Sequence, residues 1–253
     1  MGRGGNQSER KHGLHALLEQ DRKLGLQINT QSSQRKPLSL AATVLGLSAD
    51  EAVWFPLPLV LTLCGVLTGR TGAELFGDVC MVAFVEQAAK YVFKRTRPTY
   101  AKQSSFYCIL GEWYSFPSGH TMRTAFLSHI FRRAFPDDAG LGPTLLFFVW
   151  PVLVGWARVA KGKHYPLDTL VGFISGVALA EARARLGEVA WAAVKYIAGT
   201  VFTVEAVLQL AVPAWRLEGT PVHIVVNVLW LGSLFWGCGP PWLRDLLQWS
   251  GLL

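Results

Sequence analysis

Long apolar segments follow one another along most of this chain, and they restrict its fold more than any other feature. They lie at residues 52–69, 73–93, 121–135, 143–159, 166–185, 193–212 and 222–238. Several are shorter than the roughly 20 residues with which a helix crosses a bilayer. Hydrophobic residues make up 51% of the chain and charged residues 16%, which is unusual for a soluble domain. The sequence therefore predicts an all-α, polytopic transmembrane helical bundle with about five to seven spans.

Composition divides the chain into three regions. Residues 1–37 are predicted to be a polar, basic N-terminal tail, 38–186 a membrane domain that holds every chemical motif, and 187–253 additional spans without a motif. Apolar residues recur at helical spacing in the tail, from Leu14 to Ile28, which leaves open a helix on the membrane surface or a disordered tail. Residues 38–48 are too short to cross a bilayer and predict an interfacial helix.

The basic residues of this chain indicate its partners and its orientation. The net charge is +7, but the basic residues lie in the tail and between apolar segments. This distribution favours lipid head groups and phosphate substrates, and we expect no nucleic-acid partner. By the positive-inside rule, the tail and the motif face are predicted to be cytoplasmic. Without the early apolar core of a signal peptide, a multi-pass protein is expected in the endoplasmic reticulum.

The four cysteines do not indicate a metal site or a disulfide framework. Cys64, Cys80, Cys108 and Cys238 are widely separated and form no CxxC pair. We interpret them as packing residues.

Three polar clusters interrupt the apolar pattern. They are Lys90–Pro98, Pro117–His120 and Arg158–Asp168. All three fall at the same predicted membrane face. Taken alone, their residues are typical of span ends and turns, but their joint placement indicates one site.

These clusters supply what phosphoryl transfer requires. Arg97 and Arg158 carry planar guanidinium groups that can bind paired phosphate oxygens, and Lys90 adds a point charge. The Ser118 hydroxyl and the Gly119 N–H can donate further hydrogen bonds to the phosphate. The sequence thus predicts a phosphate-binding set at one face of the bundle.

Two histidines complete this predicted chemistry. A neutral His164 imidazole can attack phosphorus, giving a phosphohistidine that water later hydrolyses. Asp168 follows four residues later, so its carboxylate is expected to fix the tautomer of His164 and to stabilise the imidazolium. His120 is then expected to be the general acid and base.

The three clusters together resemble the signature of the type-2 phosphatidic acid phosphatase (PAP2) and vanadium haloperoxidase superfamily. The matching pattern is Lys90-x6-Arg97-Pro98, Pro117-Ser118-Gly119-His120 and Arg158-x5-His164-x3-Asp168. The resemblance implies a helical bundle, a mechanism without metal or cofactor, and the residue roles given above. The third motif departs from the usual Ser-Arg, because Ala157 precedes Arg158.

Within the superfamily, the chain looks most like the type 6 phospholipid phosphatases. The likeness consists of the polar tail, the short span before the first motif, and Arg123 three residues after His120. It implies a polyisoprenoid diphosphate such as presqualene diphosphate, with membrane lipids around the site. Phosphatidate or sphingoid-base phosphate is an alternative substrate class, and a catalytically silent membrane scaffold is an alternative function.

Two further charged residues are candidates for the site. Glu86 lies one turn before Lys90 and is in place to hold its ammonium group. Arg123 is a candidate fourth phosphate donor. The sequence leaves the oligomeric state open, including a homo-oligomer.

Overall fold

The protein folds into α-helices. The computed structural model describes residues 4–100, 114–134 and 140–211. The helices are α1 (Gly4–Ser33), α2 (Lys36–Ser48), α3 (Glu51–Trp54), α4 (Pro56–Leu63), α5 (Gly69–Phe93), α6 (Gly119–Ala134), α7 (Leu141–Ala160) and α8 (Pro166–Ala211). Gly187 has a non-helical backbone (φ 73°, ψ 172°), which divides α8 into two segments across a kink. In these ranges the β contacts amount to one isolated bridge, between Thr96 and Tyr114, so the all-α prediction is confirmed.

Helices α2 to α4 occupy the region of the first predicted span. Across the described ranges, no single helix has both the length and the apolar composition to cross a membrane. The pair Lys36–Ser48 and Glu51–Leu63 meets both criteria together, with a bend of 40° between its halves. The bend coincides with Asp50, whose carboxylate caps α3 by accepting a hydrogen bond from Ala52 N at 2.9 Å. The structure thus groups residues 38–48 with the following helices, whereas the sequence predicts a separate interfacial helix.

The N-terminal region is helical in the structure from residue 4 to residue 33. Asp21 and Gly25 on α1 are buried. The Asn29 side-chain amide donates a hydrogen bond to the Ala160 carbonyl oxygen at 2.8 Å. Residues 4–33 are therefore helical, as in the first of the two alternatives, and do not form the disordered tail of the second. Helix α1 packs against the end of α7 and the start of α8.

The apolar core lies where α5, α6 and α8 meet. Val82 of α5 and Phe126 of α6 are fully buried, and Ala180 of α8 is 2% exposed. Trp54 and Trp191 belong to the same buried cluster. Burial of these side chains holds α6 at the centre, so that its first turn is presented to the ends of α5 and α7.

Two glycines let α8 approach α6 closely. A Cβ at Gly172 would lie 2.5 Å from the Ser118 carbonyl oxygen, and one at Gly176 would lie 2.3 Å from the Met122 carbonyl oxygen. No side chain fits at these distances. The glycines thus determine how closely the start of α8 lies to the start of α6, where two of the polar clusters meet.

Candidate active site

The three sequence motifs converge at one end of the bundle. Arg97 Nη1 donates to the Lys163 carbonyl oxygen at 3.0 Å, which joins the first motif to the third. Ser118 N donates to the Asp168 carbonyl oxygen at 2.9 Å, which joins the second motif to the third. The structure therefore brings together segments that are far apart in sequence.

Lys90 and Glu86 join the first motif to the second. Lys90 lies in the last turn of α5, and its ammonium group donates to the Glu86 carboxylate one turn earlier. Both side chains are 5% exposed. The Glu86 carboxylate lies directly against Gly119, where an added Cβ would be 1.7 Å from Glu86 Oε2. A glycine at position 119 is thus required for Glu86 to hold Lys90 beside the second motif.

The segment before α6 runs beside the end of α5. Helix α5 ends at Phe93, and its C-cap, Lys94, adopts a left-handed conformation with φ 48°. Ser115 N donates to the Arg95 carbonyl oxygen at 2.7 Å, and Ser115 Oγ donates to the Thr96 carbonyl oxygen at 3.1 Å. These bonds fix the backbone carbonyl of Ser115 in the site.

That carbonyl group determines the tautomer of His164. His164 Nδ1 lies 2.7 Å from the Ser115 carbonyl oxygen, which can only accept, so Nδ1 carries the proton. Nε2 then keeps its lone pair. Asp168 Oδ2 is farther away, 3.7 Å from Nδ1. The Ser115 carbonyl oxygen thus makes the closer contact with Nδ1, and the orienting role of Asp168 stays a prediction.

Asp168 instead holds the backbone and a neighbouring cation. Its Oδ2 accepts from Tyr165 N at 2.8 Å, and its Oδ1 accepts from Arg95 Nη1 at 2.6 Å. The side chain is fully buried. Asp168 thus holds the residue after His164 and joins it to Arg95, which follows α5, and its charge remains near the imidazole.

His164 is neutral at physiological pH. Burial lowers the pKa of His164 to about 3, against an ordinary value of 6.5. The positive charges of Arg97 and Arg158 lower it further, while Asp168 opposes the shift. Arg158, in the last turn of α7, therefore lies within electrostatic reach of the imidazole. A buried neutral imidazole with a lone pair near cations is suited to nucleophilic attack on an anionic phosphate.

His120 lies on the first turn of α6 and faces a carboxylate that the motifs do not contain. His120 Nε2 is 3.4 Å from Asp50 Oδ2, at the junction of α2 and α3. Ser118 is fully buried and its hydroxyl lies 3.1 Å from Thr121 Oγ1. The second motif thus brings to the site an imidazole paired with an acid from a separate helix.

Arg123 is held by groups outside the three motifs. Its side chain is fully buried, with Nη1 donating to the Ala49 carbonyl oxygen at 2.7 Å and Nη2 donating to Glu51 Oε1 at 2.6 Å. Glu86 Oε2 lies 3.8 Å from the same Nη2. These contacts make Arg123 a link between α6 and the start of α3, and its role as a fourth phosphate donor stays a prediction.

Ala157, the departure from the usual third motif, is buried in an apolar contact. It is fully buried and packs with Ala42 of α2 and Ala160 of α7. The methyl group thus occupies a helix–helix interface. The part of the chain that the structure describes contains no group of three His, Cys, Asp or Glu side chains that could hold a metal ion.

Sequence reasoning missed four groups at this site: Asp21, Asp50, Arg95 and the Ser115 carbonyl. Arg95 lies inside the first cluster, and the run of basic residues there was a signal. Asp50 was visible only as a charge that interrupts an apolar stretch. Asp21 and the carbonyl oxygen have no local sequence signature, because their contacts depend on helix packing.

Comparison with known proteins finds the same superfamily that the motifs resemble. The PAP2 superfamily model matches residues 72–191. A probable lipid phosphate phosphatase beta of Arabidopsis thaliana is 28% identical, over 53% of this chain and 73% of the relative. An undecaprenyl-diphosphatase of Sulfolobus acidocaldarius is 27% identical, over 50% of this chain and 59% of the relative.

A solved structure shares the fold. It is a transmembrane PAP2 type phosphatidylglycerolphosphate phosphatase from Bacillus subtilis, with a TM-score of 0.55 and 22% identity, covering 66% of this chain and 84% of that one. The range that matches the PAP2 superfamily model, residues 72–191, contains all three motifs. Residues 72–191 of this chain therefore match the PAP2 superfamily, the family of phosphatases that the three motifs resemble.

Proposed function

We propose that this protein is a membrane-embedded lipid phosphatase that hydrolyses a lipid phosphate or diphosphate through a phosphohistidine intermediate. The observation that carries the proposal is the hydrogen bond from His164 Nδ1 to the Ser115 carbonyl oxygen. It leaves the Nε2 lone pair available, in a histidine that burial and nearby arginines keep neutral.

The first chemical step forms a bond between His164 Nε2 and phosphorus and breaks the bond from phosphorus to the leaving oxygen. Lys90, Arg97 and Arg158 hold the phosphate oxygens, with the Gly119 N–H as a neutral donor. Burial and the charge of Arg158 lower the pKa of His120 to about 3, so we propose that His120 gains a proton from solvent as the anionic phosphate binds and then gives that proton to the leaving oxygen. Asp50, 3.4 Å from His120 Nε2, stabilises that imidazolium.

Water completes the cycle. It attacks the phosphorus of the phosphohistidine, His120 takes its proton, and the bond from phosphorus to Nε2 breaks. Inorganic phosphate leaves and His164 is regenerated as the neutral imidazole. No step requires a metal ion or a cofactor.

A polyisoprenoid diphosphate is the substrate class we favour. The likeness to type 6 phospholipid phosphatases supports it, as does the similarity to a protein named undecaprenyl-diphosphatase. The similarity to a lipid phosphate phosphatase supports the alternative of phosphatidate or sphingoid-base phosphate. In a diphosphate, the leaving oxygen belongs to the lipid monophosphate.

Phosphate release by the purified protein tests the activity. The protein would be assayed in detergent with chelator, using farnesyl diphosphate, presqualene diphosphate, phosphatidate and sphingosine phosphate. We expect release that is abolished in His164→Ala and retained in His129→Ala, because His129 lies elsewhere, beside Glu181. The ranking of the four substrates tests the preference.

A folded wild-type protein that releases phosphate from none of these substrates would favour the alternative function, a silent membrane scaffold. Release that requires a divalent metal would contradict the mechanism. Activity that survives in His164→Ala would exclude the phosphohistidine.

We also propose that the protein is a multi-pass membrane protein of the endoplasmic reticulum, with its site on the cytoplasmic face. The apolar segments support the membrane location, and the basic residues on the tail side support the orientation. Membrane lipids then surround the site, and a lipid substrate reaches it from the bilayer.

A further inference from the structure

Helix α1 places a buried carboxylate beside the segment that carries His164. Asp21 is 5% exposed, although it belongs to a region outside the three motifs. Its Oδ1 accepts a hydrogen bond from Leu167 N at 2.8 Å, and its Oδ2 accepts one from Arg95 Nη2 at 2.6 Å. The N-terminal helix is thus joined to the third motif and to the end of the first.

The contact with Leu167 caps α8 from another helix. Leu167 is the second residue of α8, and its N–H is one of those that the helix itself leaves without a partner. A carboxylate at this end also interacts favourably with the helix dipole. Asp21 therefore stabilises the first turn of α8, which begins two residues after His164.

Arg95 carries the effect of Asp21 to the nucleophile loop. Its Nη1 donates to Asp168 Oδ1 at 2.6 Å while its Nη2 contacts Asp21. The guanidinium carbon lies 4.2 Å from the ring centroid of Tyr165. Since Arg95 is held on two sides by carboxylates and stacked on a ring, its planar group has one well-defined position.

We propose that Asp21 is a positioning residue for the phosphatase reaction, acting through Arg95 and the first turn of α8. It holds Arg95 against Asp168, and Asp168 holds Tyr165 N, next to His164. The proposal rests on the proposed function, because the geometry it fixes is that of the nucleophile. Helix α1 is then a structural part of the active site.

The expected kinetic effect is a loss of kcat with little change of KM. Asp21 bonds Leu167 N and Arg95, neither of which binds phosphate in the proposed mechanism. A small displacement of the nucleophile, by contrast, slows the chemical step, since misplacement of about 1 Å can cost about 100-fold in rate. A residue that only stabilised the fold would lower the active fraction without changing the turnover of the remaining molecules.

The test compares Asp21→Asn with Glu19→Gln in the full-length protein. Both variants remove one carboxylate from α1, but Glu19 is exposed and pairs with Lys23 on the same helix, at 3.7 Å. With active-site concentration measured by rapid-quench trapping of the phosphoenzyme, Asp21→Asn is expected to lower kcat about tenfold and to change KM less than about twofold. Glu19→Gln is expected to keep both constants.

A double variant tests the route through Arg95. If Asp21 acts through Arg95, adding Asp21→Asn to Arg95→Gln lowers kcat by less than about twofold beyond Arg95→Gln alone. Independent, multiplicative losses would overturn the proposed route.

Hydrogen–deuterium exchange of the peptide that contains Leu167 gives a readout that does not depend on activity. Faster exchange in Asp21→Asn, but not in Glu19→Gln, is expected because the Leu167 N–H loses a charged acceptor. Unchanged exchange together with an unchanged kcat would overturn the positioning role. If the wild type releases no phosphate, the proposed function fails along with the kinetic role, while faster exchange would still show that Asp21 docks α1 on α8.

Discussion

At the scale of single residues, the geometry of the site depends on the hydrogen-bond partner of each polar atom. His164 Nδ1 is committed to a backbone carbonyl, and Asp168 is committed to Arg95 and to a backbone N–H. Because the proton of His164 is fixed on Nδ1, nucleophilic attack from Nε2 requires no change of tautomer. The two histidines also differ in their partners, since His120 faces the carboxylate of Asp50.

The buried state of His164 predicts a pH dependence of stability. Its pKa is about 3 in the folded protein and 6.5 is the ordinary value. Between these two values the unfolded chain binds more protons, so acidification through this window favours unfolding. We expect the thermal midpoint of the wild type to fall more steeply from pH 6.5 downward than that of His164→Asn.

Midpoints of both proteins measured in detergent across that pH range would check this expectation. Parallel curves would contradict a neutral, buried His164. The same low pKa predicts that protonation of His164 does not limit kcat/KM near pH 6.

Asp50→Asn separates the charge of Asp50 from its capping role. Asparagine caps a helix about as well as aspartate, so the bond to Ala52 N can be kept. The protonated form of His120 loses its facing carboxylate. We expect kcat to fall by about tenfold at unchanged KM, because proton transfer to the leaving oxygen is impaired.

Steady-state kinetics with a substrate of good leaving group provides the control for this variant. A leaving oxygen that needs no proton should reduce the difference between Asp50→Asn and the wild type. An equal loss with both substrates would argue against a role in acid catalysis.

At the scale of elements, the close approach of α8 and α6 sets the geometry of the site. Ser118 N donates to the Asp168 carbonyl oxygen at 2.9 Å, and Gly172 of α8 lies against the Ser118 carbonyl group. The second and third motifs are therefore fixed to each other by backbone contacts. Such contacts leave no room for side-chain adjustment.

Gly172→Ala is expected to separate these two helices. Its Cβ would lie 2.5 Å from a backbone oxygen that cannot rotate away. We expect a loss of about 1–3 kcal/mol in the free energy of unfolding, together with reduced activity. Thermal unfolding in detergent and phosphate release measure the two effects.

Gly142→Ala is the matched control, because a Cβ there meets nothing within 4 Å. It makes the same chemical change on an exposed helix start. If Gly172→Ala were as stable and as active as Gly142→Ala, the close packing of α8 on α6 would not control the site.

At the scale of the whole molecule, the motifs lie at one end of the bundle and α1 lies beside them. Helix α7 extends from Leu141 to Ala160, so its first turn is about 30 Å from the end that carries Arg158. A membrane around the bundle would place these two ends on opposite sides. The orientation of the protein thus decides which compartment supplies the water and receives the phosphate.

Cysteine labelling in sealed vesicles with the cytoplasmic face outward tests this orientation. Glu19→Cys lies near the site end and Gly142→Cys near the opposite end, and both positions are exposed. An impermeant maleimide should label Glu19→Cys at once and Gly142→Cys only after detergent is added. Because mass spectrometry identifies each labelled peptide, it distinguishes the introduced cysteine from native thiols such as the exposed Cys64. The reverse pattern would place the site on the lumenal side.

The sequence by itself determined the all-α class and the resemblance of the motifs to the PAP2 superfamily, and it predicted which residues carry the chemistry. Apolar segments require helices that satisfy their own backbone groups. Motif spacing is a local property. Lys90 and Glu86, one helical turn apart, were therefore predicted to form an ion pair, and the structure confirms this pair. These inferences needed only contacts within one helix or a pattern that the family shares.

Tertiary structure alone decided the partners of those residues. His164 bonds a carbonyl 49 residues away, and Arg123 bonds Ala49 and Glu51. Arg95 joins Asp21 and Asp168, which lie 74 residues before it and 73 residues after it. Each of these contacts depends on how closely and at what angle the helices pack. A backbone carbonyl has no signature in the sequence, and a single aspartate in a polar segment is indistinguishable from its solvated neighbours until a helix brings it against an arginine.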